Sequence, residues 1–143
     1  MKKIFLLPAV VICLLLLSCK KDSNTLTQTN ASALFNTEAN WAVTNFIKNG
    51  NDVTGSYSTS KILFSPDNTL AVSNDALAIT GSWAFGSATE NTLNLLLNNP
   101  DAIVYEPWKD LQGDWKISAY TTTTFNLQSN DNSKSMHLEK LPR

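Results

Sequence analysis

Only two cysteines, Cys13 and Cys19, occur in 143 residues, and both fall in the first 19. Beyond them there is no thiol for a disulfide, a thiolate metal site or a nucleophile, so the fold must stand on packing alone. Histidine occurs once, as His137, and a lone imidazole without cysteine or a second histidine does not make a transition-metal site. There is no D-x-[DN]-x-[DN]-G calcium loop, no G-x-S-x-G elbow and no glycine-rich phosphate loop. Charge of one sign is lacking too: 11 Lys and Arg oppose 12 Asp and Glu, a balance that excludes electrostatic capture of nucleic acid. The carboxylates Asp52, Asp67, Asp75, Glu90, Asp101, Glu106, Asp110 and Asp114 are scattered singly, and Asp110 and Asp114 read as turn residues around Gly113. These absences point away from an enzyme and away from any cofactor or metal.

What the chain does have begins at its N-terminus. Lys2 and Lys3 lead into an apolar run over 4–17 that ends Leu16-Leu17-Ser18-Cys19. Fourteen apolar residues at about 1.5 Å each cannot cross a hydrocarbon core of about 30 Å. The pattern resembles a bacterial lipoprotein signal, with cleavage before Cys19 and a lipid on its sulfur. That resemblance implies a signal peptide over 1–18, a membrane anchor at Cys19 and a place in the cell envelope. Lys20 stands where an inner-membrane retention signal would have Asp, which favours the outer membrane, on its periplasmic face or at the cell surface. Removing 1–18 leaves 125 residues with a net charge of −3, enough for one domain with a hydrophobic core. The Ser-, Thr- and Asn-rich stretch that follows reads as a polar tether over 19–39, with a short helical turn around 31–38.

From residue 40 the apolar residues alternate with polar ones at period two, the signature of half-buried strands. Strands are expected at 41–48, 61–65, 69–73, 79–85, 93–97, 115–119, 123–127 and 136–140. Asn49-Gly50 and Pro66-Asp67-Asn68 are turn chemistry, which brings Phe64 opposite Leu70. The inward sets are Ile79, Gly81, Trp83 and Phe85, then Leu93, Leu95 and Leu97, then Trp115, Ile117 and Ala119, then Thr123, Phe125 and Leu127, and lastly Met136 and Leu138. His137 has the opposite parity and faces outward. The stretch 98–112 is long enough for a helical turn or an extra β segment. About eight antiparallel strands joined mostly by short turns suit an up-and-down meander closed into a barrel, with a β-sandwich as the alternative.

The order of motifs resembles a known family. Trp41, Phe46 and Gly50 precede Lys61-Ile62-Leu63-Phe64-Ser65-Pro66-Asp67-Asn68-Thr69-Leu70. Then come Gly81-Ser82-Trp83, Leu111-Gln112-Gly113-Asp114-Trp115-Lys116-Ile117 and Thr123-Thr124-Phe125-Asn126-Leu127. This series is similar to the lipocalin-like domains of small Bacteroidetes lipoproteins. The resemblance spans residues 40–141 and implies a lipocalin-like barrel over 40–143 in the envelope. The triplet opening the first strand is Ala39-Asn40-Trp41, without the glycine that true lipocalins place there.

Two functions are compatible with such a domain, acting as a monomer. In the first, the barrel binds a small hydrophobic ligand through inward aromatics, Trp41, Trp83, Trp115, Phe85 and Phe125. In the second, a filled barrel serves as an interaction module, an accessory subunit or an enzyme inhibitor, whose loops present Tyr57, Tyr105 and Trp108 to an envelope protein. Trp108 has a further reading as a cap over one end of the barrel. The anchor itself is directly testable. Membrane fractionation and mass analysis of wild type and Cys19→Ala check it: the wild type is expected to lose residues 1–18 and carry a lipid; equal membrane association of both, with residues 1–18 retained in both, would exclude lipidation.

Overall fold

The computed structural model describes residues 34–35, 39–86, 91–98 and 105–142; the predicted signal, Cys19 and most of the predicted tether lie outside them. The described strands are β1 (Asn40–Lys48), β2 (Asn51–Asp52), β3 (Lys61–Phe64), β4 (Thr69–Ser73), β5 (Ala78–Phe85), β6 (Thr92–Leu97), β7 (Gly113–Tyr120), β8 (Thr124–Ser129) and β9 (Lys134–Lys140). Two 3₁₀ helices interrupt them, η1 (Thr54–Tyr57) and η2 (Glu106–Leu111). All pairings are antiparallel, and each strand from β3 to β9 pairs with the next in sequence. The sheet then closes, because β1 pairs with β3 on one side and with β9 on the other. Eight strands thus form a closed up-and-down barrel, and the two-residue β2 is an appendage hairpinned onto β1. Closure excludes the sandwich.

The local chemistry explains the turns. Asn49 and Gly50 both adopt positive φ, 51° and 79°, and Lys48 pairs with Asn51, which is the two-residue hairpin whose twist matches its strands. After β3, Asn68 takes φ 68° and the Asp67 side chain accepts the Thr69 N–H at 3.0 Å, so Phe64 meets Leu70 as the turn predicts. After β4, Asn74 Oδ1 accepts the N–H groups of Ala76 and Leu77. After β8, Asp131 gathers the hydroxyls of Ser129 and Ser133 and the Ser133 N–H.

The eight predicted strands are all present, and their inward faces are correct with two exceptions. Trp83, Leu93, Leu95, Leu97, Trp115, Ile117, Phe125, Leu127, Met136 and Leu138 are buried, while His137 is part-exposed on the outer wall. Ala119, expected inward, is exposed. A register shift between Ile117 and Ala119 inserts an extra residue, and the parity beyond it moves to Tyr120. Thr123 is also exposed, because it belongs to the turn whose bonds run from Thr121 to Thr124 and not to the strand. A second shift in β1, between Val43 and Asn45, makes Phe46 rather than Asn45 the next inward residue. The predicted tether boundary at residue 40 is also displaced. Phe35 and Ala39 are almost fully buried, so the core begins ahead of the first strand.

Gly81, inward on β5 opposite Leu97, marks a close approach between strands. A Cβ there would lie 1.9 Å from the Leu96 carbonyl oxygen, which is backbone and cannot swing aside. Gly81→Ala is therefore expected to cost about 1–3 kcal/mol in urea unfolding, the range for overpacking a filled core; an unchanged midpoint would refute the close approach. Hydrogen bonds, first from the Ser129 hydroxyl and then from Ser133, hold the exposed Asp131 carboxyl down to about 2. Since its folded value lies below the unfolded one, the stability it adds is present above about pH 4 and is lost as pH falls through about 2. The gap between the unfolding midpoints of wild type and Asp131→Ala is expected to narrow from pH 7 to pH 2; a gap that widens would contradict it.

Candidate functional site

Strand direction sorts the inward aromatics to two ends. β1, β6 and β8 begin, and β3, β5 and β7 finish, at the end where the chain first joins the barrel. Trp41, Phe64, Trp83, Phe85 and Phe125 gather there, supplied by β1, β3, β5 and β8. Trp41 and Phe125 lie 5.2 Å apart between ring centroids, Trp83 and Phe85 5.5 Å, and Phe64 and Trp83 6.0 Å. Tyr120 stacks on Phe125 from the rim at 6.1 Å. The Trp83 indole N–H is satisfied by the Ser65 carbonyl at 3.0 Å, so this tryptophan presents an apolar surface to its neighbours.

The ring of Phe35 sits in the middle of this group. It stacks on Phe64 at 4.4 Å and on Phe125 at 5.4 Å, and meets Trp83 edge-on at 4.9 Å. Trp41 and Phe85 complete the surround at 5.8 Å each. Leu34 and Phe35 have helical backbone and stand ahead of β1, outside the sheet. Four of the five predicted ligand-binding aromatics, Trp41, Trp83, Phe85 and Phe125, are thus brought together. Phe64 and Phe35 were not among the sequence candidates. The alternation that put Phe64 opposite Leu70 also marks it as inward; for Phe35 the only signal is an apolar Ala33-Leu34-Phe35 cluster within a polar stretch.

Trp115, the fifth candidate, is at the opposite end. There it meets Phe46 edge-on at 6.0 Å and donates its indole N–H to the Leu111 carbonyl at 2.8 Å. This end is closed by η1 and η2. Pro107, second in η2, has its φ preset for the helix, and Glu106 pairs with Lys109 across one turn at 2.8 Å. Tyr57 stacks on Phe46 at 4.7 Å and donates its hydroxyl to the Pro107 carbonyl at 2.8 Å. Burial, then the Asp110 carboxylate, then Tyr105, push the Tyr57 phenol above its ordinary range, which keeps it a neutral donor. Trp108 donates to the buried Ser60 hydroxyl at 3.0 Å, and Tyr105 donates to the Ser56 carbonyl at 2.5 Å. Lys48 and Lys134 lie directly opposite each other on β1 and β9, and Asp110 of η2 joins them at 2.7 and 3.5 Å. Trp108 therefore caps the barrel. It is 2% exposed and Tyr57 is 1% exposed, so neither forms the outward contact surface expected of the partner loops. Both turned inward because a closed barrel end leaves apolar rims that only nearby loop aromatics cover. Tyr105, partly exposed, keeps an outward edge.

Several clefts lined by described residues open onto the outside of the barrel. One of about 300 Å³ lies between η1 and η2, with its charges paired as Lys48–Asp110 and Lys109–Glu106. Another of about 220 Å³ lies on the wall around Asn45, Ser118, Asn126 and His137. His137 bonds Asn126 through Nδ1 and Glu139 through Nε2, the latter at 3.2 Å. Among the described residues no three His, Cys, Asp or Glu side chains converge as metal ligands, and no helix is long and apolar enough to cross a membrane.

No family model matches this chain, and no curated protein does. Among solved structures, the chain is similar to a DUF4847 family protein from Bacteroides vulgatus, with a TM-score of 0.57 over 76% of this chain and 96% of that one. At 12% identity that likeness is one of fold alone.

Proposed function

We propose that this chain is a lipid-anchored envelope protein that acts by binding, and that its barrel seats a small apolar ligand among Trp41, Phe64, Trp83, Phe85 and Phe125. The observation that supports this reading most is the enclosure of one aromatic side chain by five others drawn from four strands. An eight-stranded barrel has room for its own side chains or for one small guest, and here the centre is held by a residue from outside the strands. The opposite end is built for closure, with polar groups committed to one another. The anchor at Cys19 rests on the lipoprotein-like signal.

A second reading, a protein-interaction module with a filled interior, is favoured by one observation. Leu96 on the outer face of β6 is 53% exposed, and Leu77 in the turn before β5 is 37% exposed. Native mass spectrometry of protein purified from its own envelope separates the two. A bound small apolar molecule is expected, together with quenching of tryptophan fluorescence by small apolar probes. Protein without a bound molecule, indifferent to such probes and recovered with a single envelope partner, would transfer the function to the second reading.

A further inference from the structure

The two ends of the barrel are closed by different physics. At the η1 and η2 end, side-chain hydrogen bonds and ion pairs join loop to loop and loop to wall, through Tyr57, Trp108, Trp115 and Asp110. At the other end the closing residue is Phe35, and among the described residues no side-chain hydrogen bond or ion pair ties Leu34 or Phe35 to the strands. Ring contacts hold it: two stacked within 5.5 Å, one edge-on at 4.9 Å, and two more at 5.8 Å. Such contacts have no directionality that a flat guest of similar size would fail to reproduce. Withdrawing Phe35 also breaks no strand pairing, since β1 already closes on β9 without it.

We propose that Phe35 is an intramolecular occupant of the aromatic seat, and that a small planar aromatic molecule binds there by exchange, expelling the Leu34–Phe35 turn. This rests on the binding reading above and names its ligand class. The class follows from the seat. Rings from four strands define a slot already fitted to a six-membered aromatic ring, and the Trp83 indole N–H is committed to Ser65. The guest is therefore an apolar ring system and not a long acyl chain. The exchange also sets the affinity. A tethered competitor acts at an effective concentration in the millimolar range, so the seat is free for only a small fraction of the time, and apparent affinity falls by that fraction. Ligand occupancy would then be reported outside the barrel, as release of Leu34 and Phe35.

Indole is a suitable probe, with the full chain followed by NMR and calorimetry. Saturating indole is expected to abolish the ring-proton contacts of Phe35 with Phe64 and Trp83 and to replace them with contacts from indole to the same rings. Phe35→Ala is expected to bind indole at least tenfold more tightly than the wild type. Phe35→Leu, which keeps more of the packing in case the alanine variant fails to fold, is expected to lie between them. Indole contacts to Trp83 with the Phe35 contacts intact would overturn the exchange while leaving the binding reading standing. Absence of indole binding by the wild type and by both variants would overturn the exchange as well. The binding reading itself falls only if protein from the envelope also carries no bound molecule.

Discussion

Everything in this molecule depends on the pairing of β1 with β9. Seven residue pairs, from Trp41 with Lys140 to Lys48 with Lys134, join the first strand to the last. Without them the sheet would have two open edges and one face of apolar side chains with nothing to cover it. With them, the inward residues of all eight strands meet around one axis. The interior becomes a fixed volume that side chains must fill. The bulges in β1 and β7 belong to the same constraint, since a small barrel must bend its strands sharply and an added residue supplies the bend. So does Gly81, where β5 and β6 approach too closely for any side chain.

Closure creates two ends, and they are finished with different materials. The η1 and η2 end uses two 3₁₀ helices, with Tyr57 and Trp108 buried against the core and their polar atoms bonded to neighbouring loops. Asp110 adds an electrostatic clasp. Lys48 and Lys134 face each other across the closing pair, an arrangement that repels on its own, and the carboxylate between them turns the repulsion into a three-body tie. The Trp115 ring lies beneath Lys134 at 5.9 Å, so the ammonium group also has an aromatic face against it. At the other end, among the described residues, Phe35 is the stopper, and its side chain belongs to no strand. This asymmetry, polar and latched at one end against apolar and plugged at the other, gives the barrel a direction and puts its candidate site at the plugged end.

Aromatic composition alone would have misplaced that site. Trp41, Trp83 and Trp115 are equivalent in sequence, each an inward tryptophan on an alternating strand. Yet two of them surround Phe35 and the third supports the opposite cap. Alternation says which face of a strand a residue occupies, and it is silent on height along the barrel axis. Height is set by strand direction and by register with the neighbours. Phe64 shows the same point from the other side: it looks like one more core residue until the register brings it against Phe35 at 4.4 Å.

The sequence by itself determined the strands, their inward faces, the short turns and hence the meander, because period-two burial and turn chemistry are properties of adjacent residues. The lipoprotein-like leader remains an expectation of the same local kind, read from a pattern of charge, apolar length and cysteine. Only the tertiary structure decided that Ala119 faces out, that Tyr57 turns in, and that Phe35 joins the core, while Trp108 caps the barrel end as its place in the long connection suggested. A bulge answers to the bend that closure demands, and a loop aromatic answers to the rim it can cover. Phe35 answers to four strands whose residues lie from 6 to 90 positions away along the chain. No stretch of neighbours encodes that meeting. It exists only once β1 and β9 have closed the wall around it.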